Sequence, residues 1–328
     1  MGTLDSVKSA VKTALAAPPV WRLQQRRRRR PGCVVLLYHR VGRRGDPFPN
    51  LDVARFEAQM RWLRANCDVI DPDELRQRAA APAAHRGLPA VVVTFDDGYR
   101  DYFDNAYPVL KACGIRAINF LCTQFVDDSR MTGWWDRLFL AVQQTTRAAI
   151  DVPWQPRPFV LDQPGRAEFL RTCKLHIKAQ PDHEIEALTS DICDRLGVDA
   201  GTLQVPRQTM TWDEVRGAAD YTCYGGHTHS HVIVSQLDAA SLDHEVRTCR
   251  ERILAETGTA PRTFAYPNGR AVDFNDAAKA ALRRHGFDTA FAAIEGLNDA
   301  RTDWMEIRRI PGGESVADLA WRVSRLWQ

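Results

Sequence analysis

The sequence predicts an α/β fold built on parallel strands, arranged as a sheet or a barrel. Three observations carry this prediction. Continuous apolar runs of strand length recur along the chain, and between them lie longer stretches with apolar residues at helical spacing. Strand, helix and strand in that rhythm imply parallel pairing, because a crossover helix returns the chain to the starting edge. Groups able to do chemistry, TFDDG (94–98) above all, fall directly after strands, where the carboxyl edge of such folds gathers its site.

Residues 1–32 stand apart. TLDSVKSAVKTALA (3–16) places Leu4, Val7, Val11 and Leu15 on one helical stripe, ahead of a Pro18-Pro19 break and the run Arg26–Arg30. This basic amphipathic segment reads either as a solvated helix or as a peripheral contact with anionic membrane, where each arginine near the surface adds about 1 kcal/mol. It carries eight basic residues against Asp5, a net of +7, which leaves −4 for the remainder of a chain at +3 overall. A mildly acidic body with no basic patch after the tail argues against nucleic acid as a partner.

From residue 33 the strand and helix rhythm begins. VVLLY (34–38) is a buried strand, and ARFEAQMRWLRANC (54–67) is a helix with Phe56, Met60 and Leu63 on one face. AVVVTF (90–95) is the next strand; a helix through AYPVLKACG ends at Gly114, and RAINFLC (116–122) is a further strand. Residues 127–205 interrupt the rhythm, and WWDRLFLAVQQ with two later charged stretches predicts a helical insertion. The alternation resumes with TWDEVRGAA, the strand YTCYGG and a helix from Asp238 to about Glu256. TFAYP, the helix DFNDAAKAALRRHG and the strand DTAFAAI follow.

Length and composition fit a soluble enzyme. The 328 residues, 45% hydrophobic and 26% charged, suffice for one large barrel or two modest domains. Eight cysteines without a CxxC pair read as buried thiols of a reducing compartment. No apolar run approaches the roughly 18 residues of a membrane span, and the arginines follow the short apolar stretch instead of preceding it, the wrong order for a signal peptide. The expectation is a cytoplasmic chain, peripheral at the inner membrane face through residues 1–32.

The chemistry concentrates in two stretches. Asp96 and Asp97 are adjacent carboxylates that repel each other unless one meets a cation, which an Asx-turn alone does not explain. In GGHTHSH (225–231), a strand would set His227, His229 and His231 on one face, whereas a helical turn would pair only His227 and His231. The stretch follows the strand YTCY and so reads as a loop, which favours the i, i+4 pair. Two imidazoles with one carboxylate make a catalytic zinc centre, or that of another divalent transition metal, with positions left open. FAYPNG (264–269) is a turn after a strand whose backbone N–H can serve as an oxyanion donor.

TFDDG, HTHSH and RTFAYPNG in this order resemble the NodB-homology polysaccharide deacetylases of carbohydrate esterase family four, over roughly residues 33–310. The resemblance implies a distorted, incomplete (β/α)7-type barrel, here residues 33–328 with the insertion, and metal-dependent removal of an N-acetyl group from an amino sugar. The family pattern makes Asp96 the general base and Asp97 a metal ligand, with His227 and His231 as the histidine pair of H-[ST]-x-x-H. Asn268 would supply the oxyanion N–H, with Tyr266 and Pro267 of the turn near substrate. Two departures stand out. Ala265 occupies the place of the arginine that orients the base in R-x-F-R-x-P-Y-G, so Arg308 or Arg309 is its candidate replacement. The late L-x-H that bears the general acid is missing, but LLYHRV places His39 after the first strand, as in the circularly permuted branch similar to poly-N-acetylglucosamine deacetylases of exopolysaccharide pathways. The substrate expected is an N-acetylated saccharide, lipid-linked sugar or glycoconjugate. A metal-dependent hydrolase of small linear or cyclic amides and a non-catalytic saccharide-binding protein are the competing readings.

Overall fold

In the computed structural model, which describes residues 12–14, 16–17, 20–21, 23, 32–43, 45–80, 88–199, 203 and 205–326, the apolar runs form parallel strands. These are β1 (Cys33–Tyr38), β2 (Asp68–Val69), β3 (Ala90–Phe95), β4 (Ala117–Leu121), β5 (Thr222–Gly226), β6 (Thr263–Ala265), β7 (Thr289–Phe291) and β8 (Ile310–Pro311). They make one sheet in the order β7-β6-β5-β4-β3-β1-β8, with β2 on the first residues of β3. Phe291 also bridges Ile307, so the segment 307–311 touches both β7 and β1 and the sheet curls into a distorted, incomplete (β/α) barrel.

Both faces of the strands are covered, which explains why they read as unbroken apolar runs. Side chains alternate sides along β1. Val34, Leu36 and Tyr38 pack outward against Phe56, Met60 and Leu63 of α1 (Val53–Asn66), while Cys33 and Val35 turn inward to Val92, Ile118, Phe120, Ala265, Phe291 and Ile307. Each fully buried side chain of this size stabilises the fold by roughly 1.5–3 kcal/mol. β2 and β8 have only two residues each, too few to show a period, and neither is legible as a strand in the sequence.

Several helices start on side-chain caps, among them the one the sequence places at Asp238. α2 (Leu75–Ala80), α3 (Tyr107–Ala112) and α4 (Thr123–Asp127) follow α1. Within residues 128–209 lie α5 (Trp134–Gln144), α6 (Gln163–Ile177) and α7 (Asp182–Arg195). α8 (Trp212–Gly217) opens on a capping box between Thr211 and Glu214. α9 (Ala239–Thr257) is capped by Asp238, which accepts from the Ser241 N–H, and stops at Gly258 in the left-handed region (φ 72°). α10 (Asp276–Arg284) has Asn275 as its cap, and α11 (Val316–Arg325) has Ser315.

Residues 47–49 and 128–209 form a second compact unit with its own core, including Leu138, Phe169, Cys173, Ile177 and Ile192. The expected insertion is helical in large part, but Ala149–Ile150 and Phe159–Val160 pair there as short antiparallel strands. Arg166 ties this unit together through the carbonyls of Val142, Thr145 and Leu161.

Leu4, Val7, Val11, Leu15 and Arg26–Arg30 lie outside the described residues. Nearby, Trp21 is fully buried, and its indole donates to the Asn66 carbonyl (2.9 Å) with its ring edge on Trp62. Trp62 in turn donates to the Ala16 carbonyl. No described helix is long and apolar enough to cross a membrane, and no two of the eight cysteines form a disulfide.

Candidate active site

The carboxyl ends of β1, β3, β5 and β6 bring the sequence-predicted residues together. Tyr38 lies opposite Phe95, so His39 and Asp96 emerge side by side, and the Asp96 N–H donates to the Tyr38 carbonyl (3.1 Å). β5 runs beside β4 up to Gly226, and the His227 N–H continues the ladder to the Leu121 carbonyl (2.9 Å). That close run needs glycine, because a Cβ on Gly225 would stand 2.5 Å from the Phe120 ring.

Among the described residues, four that are not glycine adopt left-handed backbone: Asp97 (φ 75°), Thr228 (62°), His231 (64°) and Asn268 (58°). All four belong to the three motifs of the site. Such conformations cost about 1–3 kcal/mol each and persist only where the surroundings over-determine them.

Asp97, His227 and His231 place their ligand atoms within 4.8 Å of one another. The Nε2 atoms of His227 and His231 lie 3.3 and 3.2 Å from Asp97 Oδ1, a buried oxygen with no hydrogen-bond partner. His227 Nδ1 sits 2.7 Å from the Ala265 carbonyl, which makes it the protonated nitrogen and leaves Nε2 as a donor atom for a metal. A buried carboxylate oxygen facing two imidazole nitrogens fits a divalent transition metal by chemistry and by geometry. Burial alone would raise the Asp97 carboxyl, and protonation of the two facing imidazoles holds it well below its usual range, so this oxygen calls for positive charge beside it.

His229 does not join this group. Its ring nitrogen Nδ1 meets the Thr123 hydroxyl at 2.9 Å, and its carbonyl accepts from the Gln124 N–H. The i, i+4 pair is therefore the one that converges on Asp97.

Asp96 is held by Arg309. The guanidinium donates to both carboxylate oxygens, Nη1 to Oδ1 at 2.6 Å and Nη2 to Oδ2 at 2.9 Å, with Nε on the Ala292 carbonyl and Nη1 also near Thr94 Oγ1. Both side chains are buried. Burial would raise the Asp96 carboxyl, and the Arg309 charge outweighs it and keeps it below its usual range. Of the two arginines proposed to replace the motif arginine, Arg309 stands at the base. Arg308 is exposed and lies against Gly296.

The turn after β6 divides in two. Asn268 is half-buried beside the left-handed Gly269. Tyr266 is not presented to a substrate: it is 1% exposed, stacks on Phe274 at 4.2 Å and donates its hydroxyl to the Met305 carbonyl (3.0 Å). Pro267 is also buried, and its carbonyl accepts from the Gly269 N–H to close the turn. The binding role expected of Tyr266 and Pro267 gives way to a packing role. His39 is exposed after β1, near enough for its charge to lower both Asp96 and Asp97.

Sequence reasoning passes over Glu245. This buried residue of α9 accepts from the N–H groups of His229 (2.8 Å) and Ser230 (2.9 Å) and from the Ser230 hydroxyl (2.6 Å). A signal did exist, since Glu245 falls on the apolar stripe of Leu242, Val246, Cys249 and Ile253.

A family model described as polysaccharide deacetylase matches residues 84–153 and 182–290. A protein of Bacillus subtilis (strain 168), named "Putative polysaccharide deacetylase YxkH", is 35% identical over 91 residues, spanning 26% of the chain and 30% of that protein's length. The deacetylase PplD of Streptococcus pyogenes, solved in complex with acetate, superimposes with a TM-score of 0.57 at 14% identity, over 91% of the chain and 100% of PplD. IcaB of Ammonifex degensii does so with 0.56 at 17% identity, over 89% and 98%. With the motifs at the strand ends and a family match over more than half its length, the chain belongs to the polysaccharide deacetylase family.

Proposed function

We propose that the protein removes the N-acetyl group from an amino sugar in a saccharide, lipid-linked sugar or other glycoconjugate by metal-dependent hydrolysis. The observation that carries this reading is the convergence of His227 and His231 on a buried Asp97 oxygen, directly beside an ionised, arginine-held Asp96. A divalent ion such as Zn2+, held by Asp97, His227 and His231, supplies Lewis acidity at the acyl carbonyl and the attacking water.

The remaining work falls to the chain. Asp96 takes a proton from the water as its oxygen bonds to the carbonyl carbon. Arg309 occupies one lone pair on each Asp96 oxygen, which orients the carboxylate and leaves further lone pairs to accept that proton. The Asn268 backbone N–H donates to the developing oxyanion. His39, protonated, gives its proton to the nitrogen as the carbon–nitrogen bond breaks, so that acetic acid and a neutral amine leave while the proton taken from the water stays on Asp96. Without that proton the nitrogen would be a very poor leaving group.

The substrate class is tested by incubating the zinc-loaded protein with N-acetylated sugars and with small linear and cyclic amides. Acetate released from the sugars alone supports the proposal; turnover of the small amides alone overturns it. The peripheral membrane contact rests on the charge of residues 1–32. Its test is flotation with anionic liposomes after Arg26–Arg30 are replaced by glutamine, a milder change than deletion because Trp21 belongs to the core. Equal flotation of both chains overturns it.

A further inference from the structure

We infer that Glu245 is the positioning residue of the metal-ligand loop, holding the turn between His227 and His231 in the strained conformation that aims the second imidazole. The inference rests on the metal-dependent reading above. Its basis is the way the two histidines are held. His227 continues β5 and is fixed at both ends, by its N–H on the Leu121 carbonyl and its Nδ1 on the Ala265 carbonyl. His231 lies beyond a turn in which both Thr228 and His231 are left-handed without being glycine.

Between those two strained residues stand His229 and Ser230. Their successive N–H groups converge on one oxygen of Glu245, and the Ser230 hydroxyl takes the other. A carboxylate accepting three hydrogen bonds from two adjacent residues fixes their peptide planes, and so the backbone direction in which His231 leaves the turn. Glu245 itself sits 8% exposed on α9, the long helix packed beneath the loop, so the anchor is rigid. On the other side of the turn, Gln124 and Cys122 donate to the His229 carbonyl, which leaves the segment clamped from two directions. Glu245 touches the two residues between the ligands and not the ligands themselves, so it acts on metal affinity by fixing the backbone that orients the His231 donor in advance.

The test uses the full chain with Glu245→Ala, Glu245→Gln and Ser230→Ala. Hydrogen exchange of the His229 and Ser230 amides is read in the metal-stripped protein. Zn2+ affinity is read by competition with a chromophoric chelator, and the Co2+ visible spectrum reports ligand geometry. Glu245→Ala is expected to speed exchange at both amides while leaving the His227 amide protected, to weaken Zn2+ binding by about 10–100-fold and to alter the Co2+ spectrum. Glu245→Gln, which keeps an acceptor oxygen, recovers part of the affinity, and Ser230→Ala, which removes one bond, gives a smaller loss in the same direction. Should Glu245→Ala fail to fold, the other two variants decide. Variants that bind Zn2+ within about twofold of wild type with an unchanged Co2+ spectrum overturn the inference, whatever their melting temperature. A wild-type chain that binds neither Zn2+ nor Co2+ overturns the metal reading itself.

Discussion

Arg309 grips Asp96 by both oxygens, at 2.6 and 2.9 Å, from a segment more than two hundred residues further along the chain. Ala265 leaves the motif without its own arginine, and the guanidinium arrives instead from the residue just ahead of β8. Because the pair is buried, removing the cation alone strands a charge.

Arg309→Met is therefore expected to destabilise the protein by about 3–5 kcal/mol. The folded carboxyl titrates below its unfolded value, so the pair stabilises above about pH 4 and that contribution fades as the pH falls through the lower folded pKa. In the variant, burial acts unopposed and the carboxyl moves up, so the acid limb of kcat/KM shifts to higher pH. Thermal melts and a pH–rate profile measure both effects; an unmoved acid limb would separate Arg309 from the base.

Loss of a ligand and loss of the base should look different. Asp97→Ala, His227→Ala and His231→Ala are expected to lose bound metal and activity together. Asp96→Asn keeps the metal and loses about 10²–10⁴-fold in turnover. Metal content by elemental analysis, set against kcat, distinguishes the two classes, and an Asp96→Asn protein devoid of metal would exchange the roles of the two aspartates.

His39→Ala is expected to retain metal and lose turnover by a similar factor, with the loss reduced on substrates whose leaving amine is less basic. Turnover within a few-fold of wild type on an ordinary acetamide would remove His39 from the mechanism.

Tyr266→Phe separates packing from binding. The hydroxyl serves the Met305 carbonyl in the core, so its removal should cost about 0.5–1.5 kcal/mol, or somewhat more for the carbonyl left behind, with KM unchanged. A raised KM at unchanged stability would return Tyr266 to the substrate.

The strands on either side of the site are legible in the sequence because they are covered on both faces and read as continuous apolar runs. AVVVTF has the same bounds in sequence and structure. The choice between Arg308 and Arg309 is hidden because Ile310–Pro311 is too short to reveal alternation by itself. Once Ile307 is known to face the barrel interior, a period of two puts Arg309 on the same side and Arg308 outside. Tyr266 misleads for the converse reason. The motif spacing draws attention to the whole turn, while alternation along β6 sends Phe264 and Tyr266 into one cluster and Ala265 into the other. Glu245 is silent in a helix with several other acids, and only its place on the apolar stripe marks it.

The most direct test of the central claim is acetate release from N-acetylated sugars by the purified protein, first metal-stripped and then restored with Zn2+. Release that vanishes on stripping, returns with Zn2+ in wild type and does not return in Asp97→Ala is the predicted result. Undiminished release from the stripped protein, or silence on every N-acetylated sugar despite one bound Zn2+ per chain, would contradict it.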